Sequence, residues 1–327
     1  MSEPLAGNLR GRRSNAFSRS AAIFATILSK TWPGGTDMTE SRVWLITGTS
    51  SGLGRAMAEA AAEAGDLVIA TARRPETLDD LVAQFPDRVV AMRLDVTDRP
   101  AIEPLVTEVL ARHGRIDVLV NNAGHGYLAA VEETGDSDMR RLFELHVFGP
   151  AALTRAVLPG MRARRKGAIV QMSSVAADFP LPAFGVYGAS KAALEGMSET
   201  LAAEVGPLGI TVMIAQPGGF RTKFCGETLP THKSLPDYAG TVDVMQQMAK
   251  EADGNQAGDP AAAARAILSA LSGDRPPLRL PLGSDAVGML RGALSTRLAE
   301  IEEWEAVARS TDYADVDASL VAGKVLS

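Results

Sequence analysis

From Arg42 onward, short apolar runs alternate with longer stretches in which apolar positions recur every three or four residues. Val43 to Thr47, Leu67 to Ala72, Val89 to Leu94, Val118 to Asn121, Ala168 to Met172 and Thr211 to Ala215 read as strands. Gly54 to Ala64, Glu76 to Phe85, Arg99 to His113, Asp138 to Arg164 and Tyr187 to Val205 read as helices. Ser284 to Arg309 reads as a further helix, with Trp304 expected to anchor it on the domain or on another subunit. Strands that are apolar throughout are covered on both faces. Their alternation with helices implies a parallel sheet wrapped on two sides. No tandem repeat or low-complexity linker interrupts the pattern, so the expectation is one doubly wound α/β domain from about Met38 to the end.

Residues 1–37 break this pattern. They are rich in Arg, Ser and Gly and hold five basic side chains (Arg10, Arg12, Arg13, Arg19, Lys30) against two acidic ones (Glu3, Asp37). Ala21 to Leu28 is a short apolar stretch behind basic residues, a faint likeness to a targeting peptide. The expectation is a largely disordered N-terminal extension, with Met38 as an alternative start of translation. The whole chain of 327 residues carries −6, so no global basic field points to nucleic acid. Cys225 is the only cysteine, which excludes an intrachain disulfide and fits a reducing, cytoplasmic setting. The histidines (His113, His125, His146, His232) lack metal-ligand spacing, and no run of 18 apolar residues predicts a membrane span.

Chemistry enters at two places. After the first strand comes Thr47-Gly48-Thr49-Ser50-Ser51-Gly52-Leu53-Gly54. Glycines there permit a tight turn and close approach of backbone to a pyrophosphate, and the following helix N-terminus offers free N–H groups to an anion. The spacing is G-x-x-x-G-x-G rather than the G-x-G-x-x-G of the best-known dinucleotide turn. Farther on, Tyr187 and Lys191 stand at i and i+4 of a predicted helix, on one face. An ammonium beside a phenol favours the phenolate, so the phenol can exchange a proton with an alcohol oxygen near neutral pH.

Taken together, these motifs resemble the short-chain dehydrogenase/reductase family over roughly residues 42–225. Thr47-Gly48-x-x-x-Gly52-x-Gly54 is similar to its cofactor turn. Asn121-Asn122-Ala123-Gly124 is similar to its motif after the fourth strand. Ser174, thirteen positions before Tyr187, Tyr187-x-x-x-Lys191, and Pro217-Gly218 with Thr222 complete the likeness. The resemblance implies an α/β fold: a single doubly wound (Rossmann) domain with a seven-stranded, mostly parallel sheet and a variable C-terminal helical substrate region. It implies Tyr187 as general acid/base, Ser174 as the hydroxyl that orients the reacting oxygen, and Lys191 as the cation beside the phenol and nicotinamide ribose. Ser173 is the alternative serine.

Cofactor contacts are implied for Gly48, Ser50, Ser51, Gly52, Leu53 and Gly54 at the turn. Asp95 and Val96 are implied near the adenine. Asn121, Ala123 and Gly124 are implied at the floor, and Pro217, Gly218 and Thr222 on the far side. Asn122 is implied to be structural. Members of the family are commonly dimers or tetramers built on the long fourth and fifth helices.

One position departs from the family pattern. Its fourth catalytic residue is usually Asn in an Asn-x-x-Gly run, and here the run is His146-Val147-Phe148-Gly149. The family uses the main-chain carbonyl at that place to hold a water of the proton relay. Pro150 lies four residues on and has no N–H, so the carbonyl of His146 lacks a helical donor and can accept from water. The expectation is a retained relay, with a titrating imidazole as the alternative.

The second strand ends at Ala72, followed by Arg73-Arg74, where NAD-preferring domains usually place an acidic residue. A guanidinium suits a 2′-phosphate, so NADP is the expected cofactor, with NAD possible. The segment of about 220–260 corresponds to the family's substrate lid. Phe179, Leu181, Pro182, Phe184, Phe220 and Phe224 are candidates for an apolar pocket or for the core, and His125 for the pocket mouth. The expected activity is hydride transfer between NADP and a hydrophobic alcohol, ketone or aldehyde. The alternative is a non-catalytic or weakly active NAD(P)-sensing regulator on the same fold.

Overall fold

The computed structural model describes residues 41–225, 229 and 234–313. The extension expected at 1–37 and parts of the 220–260 segment lie outside the described residues. Seven strands form one sheet in the order β3-β2-β1-β4-β5-β6-β7. They are β1 Val43–Thr47, β2 Leu67–Ala72, β3 Val89–Arg93, β4 Val118–Asn121, β5 Gly167–Met172, β6 Ile210–Pro217 and β7 Arg279–Leu282. Every pairing is parallel. The strand order reverses between β1 and β4. There the connections from the two strands leave toward opposite sides and open a crevice at the carboxyl ends, which is where ligands bind in such sheets.

The helices are α1 Gly52–Glu63, α2 Asp79–Gln84, α3 Arg99–His113, α4 Asp136–Phe143, α5 Gly149–Arg164, α6 Gly185–Val205, α7 Val244–Ala252, α8 Pro260–Leu271 and α9 Ser284–Arg309. Two apolar layers sandwich the sheet. One gathers α1 and α8 around Trp44, Met57, Val68 and Ile267. The other gathers α3 and α5 around Leu45, Ile69, Leu119 and Leu153. β1, β4 and β5 are buried at every position, which is why their sequences read as mostly apolar runs.

The helix expected over Asp138 to Arg164 is interrupted. A π-helical turn at Glu144–Phe148 separates α4 from α5, closed by the Gly149 N–H on the Glu144 carbonyl. The physical reasons lie in two neighbours. Pro150 has no N–H to continue the ordinary ladder. Gly149 packs so tightly on Val96 that an added β-carbon would stand 2.7 Å from its carbonyl oxygen. The helix expected over Glu76 to Phe85 divides similarly, into a 3-10 turn at Pro75–Leu78 and α2. Trp304 does not anchor α9 on the domain: it is 60% exposed.

Candidate active site

The glycine turn joins β1 to α1, beside the point where the strand order reverses. Gly48 and Gly52 have φ of 69° and 62°, backbone that side chains rarely adopt. A β-carbon on Gly48 would stand 2.8 Å from Ala123 Cα, and one on Gly54 would run into the Asn122 amide and the Gly48 carbonyl. Asn122 pins the turn, its side-chain amide donating to the Thr47 (2.9 Å) and Gly48 (3.1 Å) carbonyls. Thr47 Oγ1 accepts from the backbone N–H of Asn122 and of Ala123, both at 3.0 Å. The structural role expected of Asn122 is thereby explained: it clamps two loops that leave neighbouring strands. Ser50, Ser51 and Leu53 line the same turn, and no side chain caps the N-terminus of α1. A cradle closed to β-carbons beneath a helix N-terminus fits a pyrophosphate.

The other positions expected to meet a dinucleotide lie at the carboxyl ends of the strands and in the loops that follow them. Thr222 lies against Gly52, 3.2 Å from where a β-carbon would stand. Pro217 ends β6, and the Gly218 N–H donates to the Leu282 carbonyl at 3.0 Å. Val96 is buried, whereas Asp95 uses Oδ1 to hold Thr97 (N–H 3.0 Å, Oγ1 2.7 Å). Asn121 is turned inward: its amide donates to Gln171 at 3.0 Å, so it braces β4 on β5 rather than lining the floor with its side chain. Gly124 borders His146, whose Nε2 would stand 3.0 Å from an added β-carbon. Arg73 follows β2 with an exposed side chain that makes no ion pair among the described residues.

Tyr187 and Lys191 lie in the first turns of α6, and both are buried. The ammonium of Lys191 stands 5.8 Å from the centre of the Tyr187 ring and donates to the Met172 carbonyl at 2.8 Å. Burial pushes the Lys191 ammonium down to about 8, against a pull upward from Glu195. The Tyr187 ring is packed edge-on by Phe184 (5.8 Å), Phe224 (5.6 Å) and His146 (5.5 Å). Ser174 sits just past β5, where its Oγ accepts from the Ala176 N–H at 3.2 Å. Ser173 is buried, and its hydroxyl is bonded to Glu195 at 2.5 Å. Successive residues of an extended chain face opposite sides, so only one serine of the pair can turn to the crevice. Ser174 is that one.

His146 is almost wholly buried. Its Nδ1 is 2.9 Å from Ser190 Oγ, and Ser190 gives its own proton to the Tyr187 carbonyl at 2.7 Å. The hydroxyl proton is thereby used, so Nδ1 carries the imidazole proton. Nε2 is left as an acceptor, and it receives the His125 backbone N–H at 3.4 Å. Burial, with the charge of Lys191 and then His125, pushes the imidazole well below its usual value. The depressed imidazole favours its neutral form, in which it braces Ser190 and the His125 backbone.

Sequence reasoning missed Glu195 and Asp285. Glu195 is one turn beyond Lys191 and holds Ser173, Gln216 (3.0 Å) and Arg279 (3.0 Å) in a buried cluster. Burial raises its carboxyl, against the bonds from Ser173 and Arg279. Asp285, at the start of α9, accepts the Gly219 N–H at 2.7 Å and fixes the loop after β6. The i+4 step from Lys191 to Glu195 was the one available signal. Among the described residues no cluster of metal-ligating side chains occurs, and no helix is long and apolar enough to cross a membrane.

Residues 42–233 match the family model for short chain dehydrogenase. The chain belongs to the short-chain dehydrogenase family. Within the family it is similar to the oxidoreductase BOA17 of Botryotinia fuckeliana, 38% identical over 265 residues, covering 81% of this chain and 97% of that one. A short-chain dehydrogenase from Streptomyces avermitilis has 51% sequence identity and a TM-score of 0.77, covering 84% of this chain and 99% of that one. The alcohol dehydrogenase of Thermococcus sibiricus, complexed with 5-hydroxy-NADP, is 25% identical with a TM-score of 0.61. That match covers 74% of this chain and 96% of its own. The protein is thus an oxidoreductase of the short-chain dehydrogenase/reductase type, a nicotinamide-dependent enzyme acting on CH–OH groups.

Proposed function

We propose that this enzyme prefers NADP and interconverts a hydrophobic alcohol with its ketone or aldehyde. The observation that carries the chemistry is the buried Tyr187–Lys191 pair between Phe184 and Phe224. When bound, the cofactor supplies or accepts the hydride. Ser174 offers a hydroxyl to the reacting oxygen and holds it near the phenol. In reduction, Tyr187 gives its proton to the forming alkoxide; in oxidation it takes the proton from the alcohol. The Lys191 ammonium stabilises the phenolate left behind. His146 keeps the ring and the His125 backbone in place without exchanging a proton. Phe184 and Phe224 shut out water and favour an apolar group beside the carbonyl.

Support for NADP comes from Arg73, an exposed guanidinium with no ion pair among the described residues, one residue beyond β2. A charge-assisted bond to a 2′-phosphate suits it, and no carboxylate follows the strand to favour free ribose hydroxyls. The cofactor in the Thermococcus sibiricus relative is of the same type. A reading as a non-catalytic sensor has only the identity of residue 146 in its favour, and Ser174, Tyr187 and Lys191 weigh against it. A homo-oligomer in the cytoplasm, acting on a small molecule, completes the proposal; the single cysteine agrees with a reducing compartment.

The test is oxidation of NADPH and of NADH, in parallel, across a panel of aliphatic and aromatic aldehydes and ketones. Turnover of apolar carbonyl compounds with NADPH favoured is the expected result. Absence of turnover across the panel, or preference for NADH, defeats the corresponding half of the proposal.

A further inference from the structure

We infer that Asp178, gripped by Arg297 of α9, is a positioning residue for Ser174, so that the C-terminal helix sets how well that hydroxyl meets the reacting oxygen. Asp178 acts through Ser174, so its role rests on the reaction proposed above. The two residues bracket one 3-10 turn, Val175–Ala177. Within it the Ala177 and Asp178 N–H groups donate to the Ser174 and Val175 carbonyls, both at 3.1 Å, and the Phe179 N–H donates to the Val175 carbonyl at 2.8 Å. Ser174 Oγ accepts the Ala176 N–H at 3.2 Å. A hydroxyl oxygen occupied in this way has fewer directions left for its own proton. Where residue 176 stands therefore decides where Ser174 can donate.

A single 3-10 turn is weakly bonded by itself, and this one is held from outside by two contacts with α9. Val175 packs in one apolar cluster with Ala286 and Leu290. The Asp178 carboxylate accepts Arg297 Nη1 at 2.8 Å through one oxygen, and Arg297 Nη2 donates to the Asp178 carbonyl at 2.9 Å. One planar fork thus grips side chain and backbone of the same residue, a geometry that the point charge of an ammonium does not reproduce. The other carboxylate oxygen accepts the Gln216 amide at 2.9 Å. The same amide nitrogen lies 3.0 and 3.2 Å from the two oxygens of Glu195, and Glu195 holds the hydroxyl of Ser173. Ser174 is therefore fixed from both sides: from the residue before it through Glu195, and from the turn after it through Asp178. An exposed ion pair alone would contribute little. Asp178 is instead mostly buried, with its side chain 18% exposed, and its second oxygen holds the amide that binds Glu195.

The experiment compares the full parent chain with Asp178→Ala, Arg297→Met and Arg297→Lys in reduction of the best carbonyl substrate of the panel. A catalytic group misplaced by an ångström costs about 10²-fold, so Asp178→Ala is expected to lower kcat about 10–100-fold and Arg297→Met about three- to tenfold. In both, KM and the Kd for NADPH are expected to stay within about twofold of the parent. Arg297→Lys keeps a donor to the carboxylate and is expected to recover at least half of the rate lost in Arg297→Met. In a Ser174→Ala background, followed in single turnovers, Asp178→Ala is expected to cost less than about twofold more, because the hydroxyl it acts through is gone. Hydrogen exchange of the 176–179 amides needs no turnover and is expected to quicken about tenfold or more in Arg297→Met. A full loss repeated in the Ser174→Ala background, an unchanged kcat in both Asp178→Ala and Arg297→Met, or unchanged exchange overturns the inference. A parent chain that turns over nothing defeats the proposed reaction instead, and the exchange rates then decide the clamp by themselves.

Discussion

The imidazole of His146 stands perpendicular to the ring of Tyr187, 5.5 Å away at an interplanar angle of 89°. Both belong to one bonded chain, since His146 holds Ser190 and Ser190 holds the Tyr187 carbonyl. The imidazole is neutral, so it contributes shape and a hydrogen bond rather than charge. His146→Asn is expected to leave the number of ionisations in the pH–rate profile unchanged between pH 6 and 9. His146→Ala is expected to lower kcat more than it raises KM. An ionisation that disappears in the Asn variant would return the residue to proton transfer.

Stability should also report on His146. Its value in the folded chain lies well below that of the unfolded chain. Below about pH 6.5 the unfolded chain therefore takes up a proton that the folded one refuses, and stability falls as pH falls, by up to about 1.4 kcal/mol per pH unit. Denaturant midpoints between pH 6.5 and 5 should show a shallower decline for His146→Asn than for the parent chain.

Lys191 sets the alkaline side. With its ammonium pushed down to about 8, kcat/KM for carbonyl reduction should fall as pH rises through that value. Glu195 is the neighbour that pulls it upward, so Glu195→Gln should move the limb to lower pH. Stability runs the other way: between about 8 and the unfolded value near 10.4 the unfolded chain holds the proton, so folding is favoured as pH rises. A limb that stays in place in Glu195→Gln would separate the carboxylate from the cation.

Tyr187→Phe removes one oxygen and keeps the ring among Phe184, Phe224 and His146. Turnover is expected to fall by about 10²–10⁴-fold, the usual worth of a positioned acid or base. Titration of NADPH fluorescence should give nearly the parent Kd. A variant keeping most of its rate would displace the phenol from the chemistry.

Arg73→Asp should invert cofactor choice. Loss of a charge-assisted bond costs about 1.5–3 kcal/mol, roughly a ten- to hundredfold loss of NADPH over NADH in kcat/KM. Ratios measured with one substrate and both cofactors decide it, and an unchanged ratio would leave Arg73 as a solvated surface residue.

Much of the fold was legible because β1, β4 and β5 are covered on both sides, so their residues are mostly apolar, with polar side chains only at or near their carboxyl ends. β7 was not, because it is a four-residue edge strand containing Pro281 and only partly buried. α8 had a readable start that went unused: Pro260 opens it, and Asp259 caps it by accepting the Ala261 N–H at 2.9 Å. At the site, spacing alone located the turn, Ser174, Tyr187 and Lys191. Spacing favoured Ser174 over Ser173, but the physical reason for Ser173 turning away, Glu195 reaching back 22 residues to hold it, was not legible. Nor could spacing reveal the partner of His146, 44 residues away on another helix.

The wide turn at Glu144–Phe148 makes this stretch sensitive to length as well as to identity. Each helical residue advances the chain by about 100°. Deleting a single codon within it would turn α4 and its connection to β4 by that amount, or carry His146 out of reach of Ser190. Insertions and deletions should therefore be far rarer there than point changes across natural variants of this gene.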